Sequence, residues 1–99
     1  MTYDSRFKNE ETELFFDAIL SLGDKETCYR FFEDVSTVNE LAAMAQRFHI
    51  AKLLSEEHTY AEIEAKTKAS TATISRINRC LRYGADGYKK MLAKLSEKC

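Results

Sequence analysis

Apolar residues recur along this chain at the three- and four-residue spacing that is typical of amphipathic helices. They are Phe15, Ala18, Ile19 and Leu22 in a first segment, Cys28, Phe31, Phe32 and Val35 in a second, Leu41, Met44, Ala45, Phe48 and Ala51 in a third, and Tyr88, Met91, Leu92, Leu95 and Cys99 in a last one. No stretch of useful length alternates with the two-residue period of a strand. The pattern therefore predicts an all-α fold of about six helices, the first at residues 5–22.

The residues between these segments indicate helices joined by short turns. The 99 residues include three glycines and no proline, so residues that interrupt helices are scarce. Gly23 is expected to end the first helix, and Asp24 can cap the second. The length is that of one domain, which we assign to residues 1–99.

Composition excludes several classes of protein. No apolar run approaches the roughly 18 residues that cross a bilayer, and the N-terminus lacks the apolar core of a signal peptide. We therefore predict a cytoplasmic protein without a membrane partner. Cys28, Cys80 and Cys99 are isolated, and neither His49 nor His58 lies at metal-ligand spacing from a cysteine. We predict free thiols, no metal site and no resident cofactor.

The sequence does not predict an enzyme. Catalysis requires a convergent acid, base or nucleophile. His49 follows the apolar Phe48, and His58 lies beside a predicted turn. Neither histidine has a carboxylate or cysteine at a spacing that forces contact, so we assign no catalytic residue.

All six phenylalanines lie in the first half of the chain, at positions 7, 15, 16, 31, 32 and 48. Each buried phenylalanine contributes about 1.5–3 kcal/mol, yet a monomer of this length has little interior. Pairing with a second copy would cover this aromatic surface, so we expect a homodimer. A well-filled monomer core is the alternative.

Residues 59–82 are predicted to form a helix-turn-helix. Tyr60 and Ile63 lie on one face of a first short helix, and Ile74, Ile77 and Leu81 form the apolar stripe of a second one. Three or four residues separate the two helices, which is the usual length of the turn in this motif.

The turn contains no glycine. Ser70 is a good N-cap for the second helix because its hydroxyl can accept a backbone N–H. If Lys68 adopts a left-handed conformation, the cost is about 1–2 kcal/mol. A turn of another geometry is equally compatible with the sequence.

The second helix of this motif carries small and basic residues opposite its apolar stripe. Thr71, Ala72 and Ser75 are short enough to let the backbone approach base edges in a major groove, and we predict that they contact bases. The predicted contacts to the DNA backbone are Lys66, Lys68, Ser70, Arg76, Arg79 and Arg82. No acidic residue lies between Lys66 and Arg82. A solvated basic face without a partner is the alternative reading.

The segments "TVNELAAMAQRFHIAKLL" and "TYAEIEAKTKASTATISRINRCLRYG", with "ASTATISR" at the start of the second helix, resemble the Trp repressor superfamily, specifically its TrpR-related YerC/YecD family. The resemblance implies six helices and an intertwined homodimer whose core is formed by the first three helices and the last one. It also implies a DNA-binding transcriptional repressor, with two recognition helices placed for a palindromic operator in double-stranded DNA. The family's DNA contacts fall on Thr71, Ala72 and Ser75, with Thr73 near the backbone.

The resemblance also bears on ligand sensing. Tryptophan-binding members place the indole between two arginines and beside a glycine. One arginine matches Arg76, the other position holds Gln46 with Arg47 adjacent, and the glycine position holds Ile77. These four residues form a candidate effector pocket in which Ile77 would crowd an indole ring. We therefore expect that tryptophan is not the effector; another small molecule and no ligand both remain open.

A protein-interaction module that keeps this fold without binding DNA is the second hypothesis. Glu62 and Glu64 place acidic charge on the first helix of the motif. At outward positions that can be basic in the family, this chain has Ala61 and Glu64. Such residues would weaken or redirect contacts to a DNA backbone.

Overall fold

The computed structural model describes residues 3–97, and every regular element among them is a helix. The six helices are α1 (Glu10–Leu20), α2 (Lys25–Val35), α3 (Val38–Ser55), α4 (Tyr60–Thr67), α5 (Thr71–Tyr83) and α6 (Gly87–Glu97). The predicted all-α fold of six helices is confirmed. Cys99, predicted to extend the apolar stripe of the last helix and to be a free thiol, lies outside the described residues.

The chain separates into two compact units, Met1–Val38 and Asn39–Cys99. The first contains α1 and α2, and the second contains nearly all of α3 together with α4, α5 and α6. The assignment of residues 1–99 to one domain stays a prediction.

α1 is shorter than the predicted helix at residues 5–22. Asn9 has extended backbone angles, and its side chain accepts the backbone N–H of Thr12 over 2.8 Å. This contact satisfies one of the amide groups that the first helical turn leaves without a partner. The helix consequently begins at Glu10, and it ends at Leu20, three residues before Gly23.

The turn into α2 follows the predicted chemistry. Gly23 has a φ of 77°, a left-handed conformation that glycine adopts readily. The Asp24 side chain then accepts the backbone N–H of Thr27 over 2.7 Å and caps α2. Because this bond favours the charged carboxylate, it lowers the pKa of Asp24.

The first unit carries an aromatic cluster that it covers only in part. The Phe15 and Phe31 rings lie 5.7 Å apart, and Phe31 meets Phe32 edge to face at 5.4 Å. No residue of α1 or α2 is fully buried. In the single chain, Leu14 is 72% exposed and Phe16 is 50% exposed.

The second unit contains the buried core among residues 3–97. Its members are Ile50, Ala51, Leu53, Leu54, Ile63, Ile74, Ile77 and Leu81, and Tyr60, Ala69, Tyr88 and Leu92 pack against them. The predicted stripes of α4 and α5 therefore face the interior. Of the five residues in the stripe predicted for α3, Ala51 is buried, Leu41 and Phe48 are partly buried, and Met44 and Ala45 are exposed in the single chain.

Two further observations concern the class of protein. None of the helices found in residues 3–97 is long and apolar enough to cross a membrane. Cys28 and Cys80 are free thiols.

Candidate nucleic-acid interface

α4 begins with a reciprocal capping box. The Thr59 hydroxyl accepts the backbone N–H of Glu62, and the Glu62 carboxylate accepts the backbone N–H of Thr59 over 2.7 Å. This second bond lowers the pKa of Glu62 because it stabilises the charged carboxylate. The first helix of the motif thus has a fixed start.

The turn between α4 and α5 uses a left-handed lysine where many such turns use glycine. Lys68 has φ 65° and ψ 10°, and its backbone N–H bonds to the carbonyl of Glu64 over 2.9 Å. The Thr67 hydroxyl donates to the carbonyl of Ile63 over 2.8 Å and accepts the N–H of Ala69 over 3.2 Å. These bonds, together with the burial of Ile63, hold the turn in a conformation that is unfavourable for lysine alone.

α5 begins at the predicted cap. Ser70 has extended backbone angles, and its hydroxyl accepts the backbone N–H of Thr73 over 3.2 Å. The same hydroxyl donates to the Thr73 side chain over 3.1 Å. Thr73 is half-buried, so its side chain supports the helix start and offers little free surface.

α5 has two chemically different sides. Ile74, Ile77 and Leu81 are at most 4% exposed and lie in the core of the second unit. The three residues predicted to contact bases, Thr71, Ala72 and Ser75, are exposed. The outward side is therefore not packed against the other described residues of the second unit.

The five predicted cations are also exposed: Lys66, Lys68, Arg76, Arg79 and Arg82. None of the ion pairs found in residues 3–97 includes one of them. The Nε of Arg82 donates to the Asn78 side chain over 3.2 Å, which orients this guanidinium along α5. Lys89 of α6 approaches the C-terminus of α5, with its Nζ 3.4 Å from the carbonyl oxygen of Arg82.

Thr71 has a partner that the sequence analysis missed. Its hydroxyl donates a hydrogen bond to the carboxylate of Glu64, across the turn from α4. Glu64 is half-buried, whereas Thr71 is exposed. The two residues are seven positions apart, so no spacing rule for a single helix could have indicated this contact.

The four candidate effector residues differ in exposure and in their contacts. Ile77 is 4% exposed and packs in the core. The Gln46 amide donates to the backbone carbonyl of Thr67 over 3.0 Å and so joins α3 to the end of α4. Arg47 and Arg76 are exposed. Among the described residues, no group of three or more histidine, cysteine, aspartate or glutamate side chains is placed to hold a metal ion.

The amino-acid sequence of this chain is similar to those of known proteins. The family model of the Trp repressor protein matches residues 10–96. An uncharacterized protein of Bacillus subtilis (strain 168), YerC, is 49% identical over 92 residues, which are 93% of this chain and 88% of YerC.

Two crystal structures are also similar. A TrpR-like protein from Eubacterium eligens ATCC 27750 has a TM-score of 0.89 at 50% identity, over 94% of this chain and 96% of that one. A proposed Trp repressor from Staphylococcus aureus has a TM-score of 0.87 at 43% identity, over 92% and 91% of the two chains. This chain therefore belongs to the Trp repressor family, in the group related to YerC.

Proposed function

We propose that this protein is a sequence-specific DNA-binding transcriptional regulator that represses its targets as a homodimer on a palindromic operator. The observation that carries the proposal is the division of α5. Its apolar side is buried through Ile74, Ile77 and Leu81, whereas Thr71 and Ser75 remain exposed on a rigid helix. A major groove admits such a helix, and short hydroxyl side chains let it approach the bases.

Charge supports the same role. None of the ion pairs found in residues 3–97 includes an exposed cation of α5, so these cations do not have to break such a pair before they bind phosphate. Phosphate contacts would set the position of the helix, and the small residues at its start would select the bases. The proposed role is regulatory and not enzymatic, and we propose a cytoplasmic location for it.

The aromatic surface of the first unit supports the homodimer. Leu14, Phe15, Phe31 and Val35 line an open groove between α1 and α2. Monomeric soluble proteins seldom leave contiguous apolar surface of this kind uncovered. We propose that a second copy covers it in an intertwined dimer, which also supplies the second recognition helix that a palindromic operator requires.

The proposed effector, if the regulator uses one, is not tryptophan. A neighbouring indole would need space that a glycine provides, and this chain has a buried isoleucine at position 77. Gln46 supplies no positive charge, and its amide is already bonded to Thr67. We therefore expect the DNA affinity of the protein to be unchanged when tryptophan is added.

The second candidate is a protein-interaction module without DNA binding. The observation that favours it is the carboxylate of Glu64 at the start of α5, where a DNA phosphate would otherwise be favoured. The two hypotheses differ in salt dependence. A DNA complex loses affinity steeply as salt rises, whereas an interaction module has no DNA affinity even at low salt.

The test begins with selection of bound fragments from random double-stranded DNA by the full-length chain. The affinity for the enriched fragment and for a shuffled fragment of equal length is then measured across a salt series. We expect a palindromic enriched sequence, a steep negative salt slope and a mass near twice 11.4 kDa by sizing. Equal binding to both fragments, or none at low salt, would overturn the proposed function, and a monomer at all concentrations would overturn the dimer.

A further inference from the structure

The hydrogen bond between Glu64 and Thr71 determines how the hydroxyl of Thr71, the first residue of α5, can bond to DNA. The carbonyl of Glu64 accepts the backbone N–H of Lys68, so this residue is held in the turn by its backbone. Its carboxylate accepts the Thr71 hydroxyl, so it is also held to α5 by its side chain. Both groups lie at the N-terminal end of α5.

The direction of this hydrogen bond is set by the chemistry of the two groups. An ionised carboxylate only accepts hydrogen bonds, so the Thr71 hydroxyl must use its single proton to bond Glu64. A free threonine hydroxyl can donate to a base or accept from one. Once its proton points to Glu64, the oxygen of Thr71 can only accept.

Base edges in the major groove differ in what they offer such an acceptor. Adenine presents the N6 amino group and cytosine presents the N4 amino group, and both are donors. Guanine presents the N7 and O6 acceptors, and thymine presents the O4 acceptor and a methyl group. An acceptor pair of carboxylate and hydroxyl oxygen is attracted to the amino groups and repelled by the carbonyl oxygens.

We propose that Glu64 and Thr71 act together as a specificity-determining pair that selects a base with an exocyclic amino group, adenine or cytosine, at one position of each half-site. Thr71 makes the contact, and Glu64 sets its hydrogen-bonding direction and excludes guanine and thymine. The inference rests on the proposed function and deepens it, because it assigns a role to an acidic residue within an otherwise basic surface.

Glu64 is better placed for this role than the other glutamate of α4. The Glu62 carboxylate accepts the backbone N–H of Thr59 and completes the cap at the opposite end of α4. Removal of Glu62 would change the start of α4, whereas removal of Glu64 changes the contact at the start of α5. Substitution of Glu62 and substitution of Glu64 should therefore have different effects.

The test compares four variants of the full-length chain with the unmodified protein. Glu64→Met keeps the approximate length of the side chain but removes the acceptor, and Thr71→Val keeps the shape but removes the hydroxyl. Thr71→Ser keeps the hydroxyl and is the conservative control. Glu57→Gln removes one charge from an exposed position before α4 and controls for charge alone. Helix content and thermal unfolding are recorded for each variant.

Selection from random DNA is repeated with each variant, and affinities are measured for the enriched operator with each of the four bases at every half-site position. The unmodified chain and Thr71→Ser should prefer adenine or cytosine at one position by about fivefold or more. Glu64→Met and Thr71→Val should reduce that preference to about twofold or less and leave the other positions unchanged. Glu57→Gln should raise affinity slightly for all sequences without altering any preference.

The outcomes separate this inference from the proposed function. If the unmodified chain binds selectively and both Glu64→Met and Thr71→Val keep every base preference, the proposed specificity pair is wrong and the DNA-binding role stands. A preference for guanine or thymine that depends on Glu64 would also overturn the pair. If the unmodified chain binds no sequence selectively, the proposed function and the pair are both overturned.

Discussion

The side-chain amide of Gln46 donates a hydrogen bond to the backbone carbonyl of Thr67, 21 residues away, over 3.0 Å. This bond joins α3 to the last residue of α4, where the helix-turn-helix changes direction. It also satisfies a carbonyl that the end of α4 would leave without an intrahelical partner. Gln46 therefore helps to hold the turn that presents α5.

The first prediction concerns this bond. Gln46→Met removes the donor at similar volume and should lower the free energy of unfolding by about 0.5–1 kcal/mol. Gln46→Glu should cost more, because a carboxylate cannot donate and would face a carbonyl oxygen. Urea unfolding of the three proteins measures both values. Equal stability of all three would show that the bond contributes nothing in solution.

The second prediction separates stability from DNA affinity at Lys68. Lys68→Gly should raise the free energy of unfolding by up to about 1 kcal/mol, because relief of the left-handed conformation exceeds the additional chain entropy that glycine loses. The same change should weaken DNA binding, because a predicted phosphate contact is lost. Lys68→Ala is the matched control, since it removes the charge and keeps the strain. It should weaken binding without any gain in stability, and a gain equal to that of glycine would contradict the argument.

The third prediction concerns Ser75, the exposed hydroxyl one turn into α5. Ser75→Ala should change the base preference at one position of each half-site by about 1–3 kcal/mol and leave binding to unrelated DNA nearly unchanged. Affinities for operators substituted at single positions provide the measurement. An equal loss on every sequence would mean that Ser75 contacts the DNA backbone.

The fourth prediction concerns Arg79, which is exposed and forms no ion pair with the described residues. Arg79→Ala should weaken binding to all sequences by a similar factor. It should also reduce the salt slope by about 1 for each copy that contacts a phosphate. Arg30→Ala, a change at an exposed arginine of α2 that pairs with Glu26, is the control and should leave the slope unchanged. An unaltered slope for Arg79→Ala would remove its assignment as a phosphate contact.

The fifth prediction concerns the end of α5. A Cβ at Gly84 would overlap the carbonyl oxygen of Cys80, whereas a Cβ at Gly87 would meet nothing within 4 Å. Gly84→Ala should therefore lower the free energy of unfolding by about 1–3 kcal/mol. Gly87→Ala, at the start of α6, should raise it by about 0.4–1 kcal/mol. Thermal unfolding of the pair checks both signs, and a neutral Gly84→Ala would show that the end of α5 rearranges freely.

Features that depend on local chemistry could be predicted from the sequence. Ser70 and Asp24 cap their helices as expected, because a hydroxyl or carboxylate beside a helix start bonds to the nearest free amide. The apolar side of α5 was also predictable, because its outward positions are strongly polar. The early start assigned to the first helix was wrong, since apolar spacing does not mark a helix end and the cap at Asn9 does.

Features that depend on packing between helices could not be predicted. α3 carries apolar residues around most of its circumference, so periodicity could not choose between the predicted stripe and the buried residues Ile50, Leu53 and Leu54. The contacts from Glu64 to Thr71 and from Gln46 to Thr67 depend on the shape of the turn. That shape required a left-handed lysine, which the sequence permitted but did not require.

The buried and outward sides of α5 share no residue. Ile74, Ile77 and Leu81 hold the helix in place, and exchange of the outward side chains at its start leaves them untouched. Related proteins can thus acquire new target sequences while the buried residues that maintain the fold stay unchanged. For protein engineering, the same separation means that the exposed residues at the start of α5 can be exchanged while the buried residues keep the helix in place.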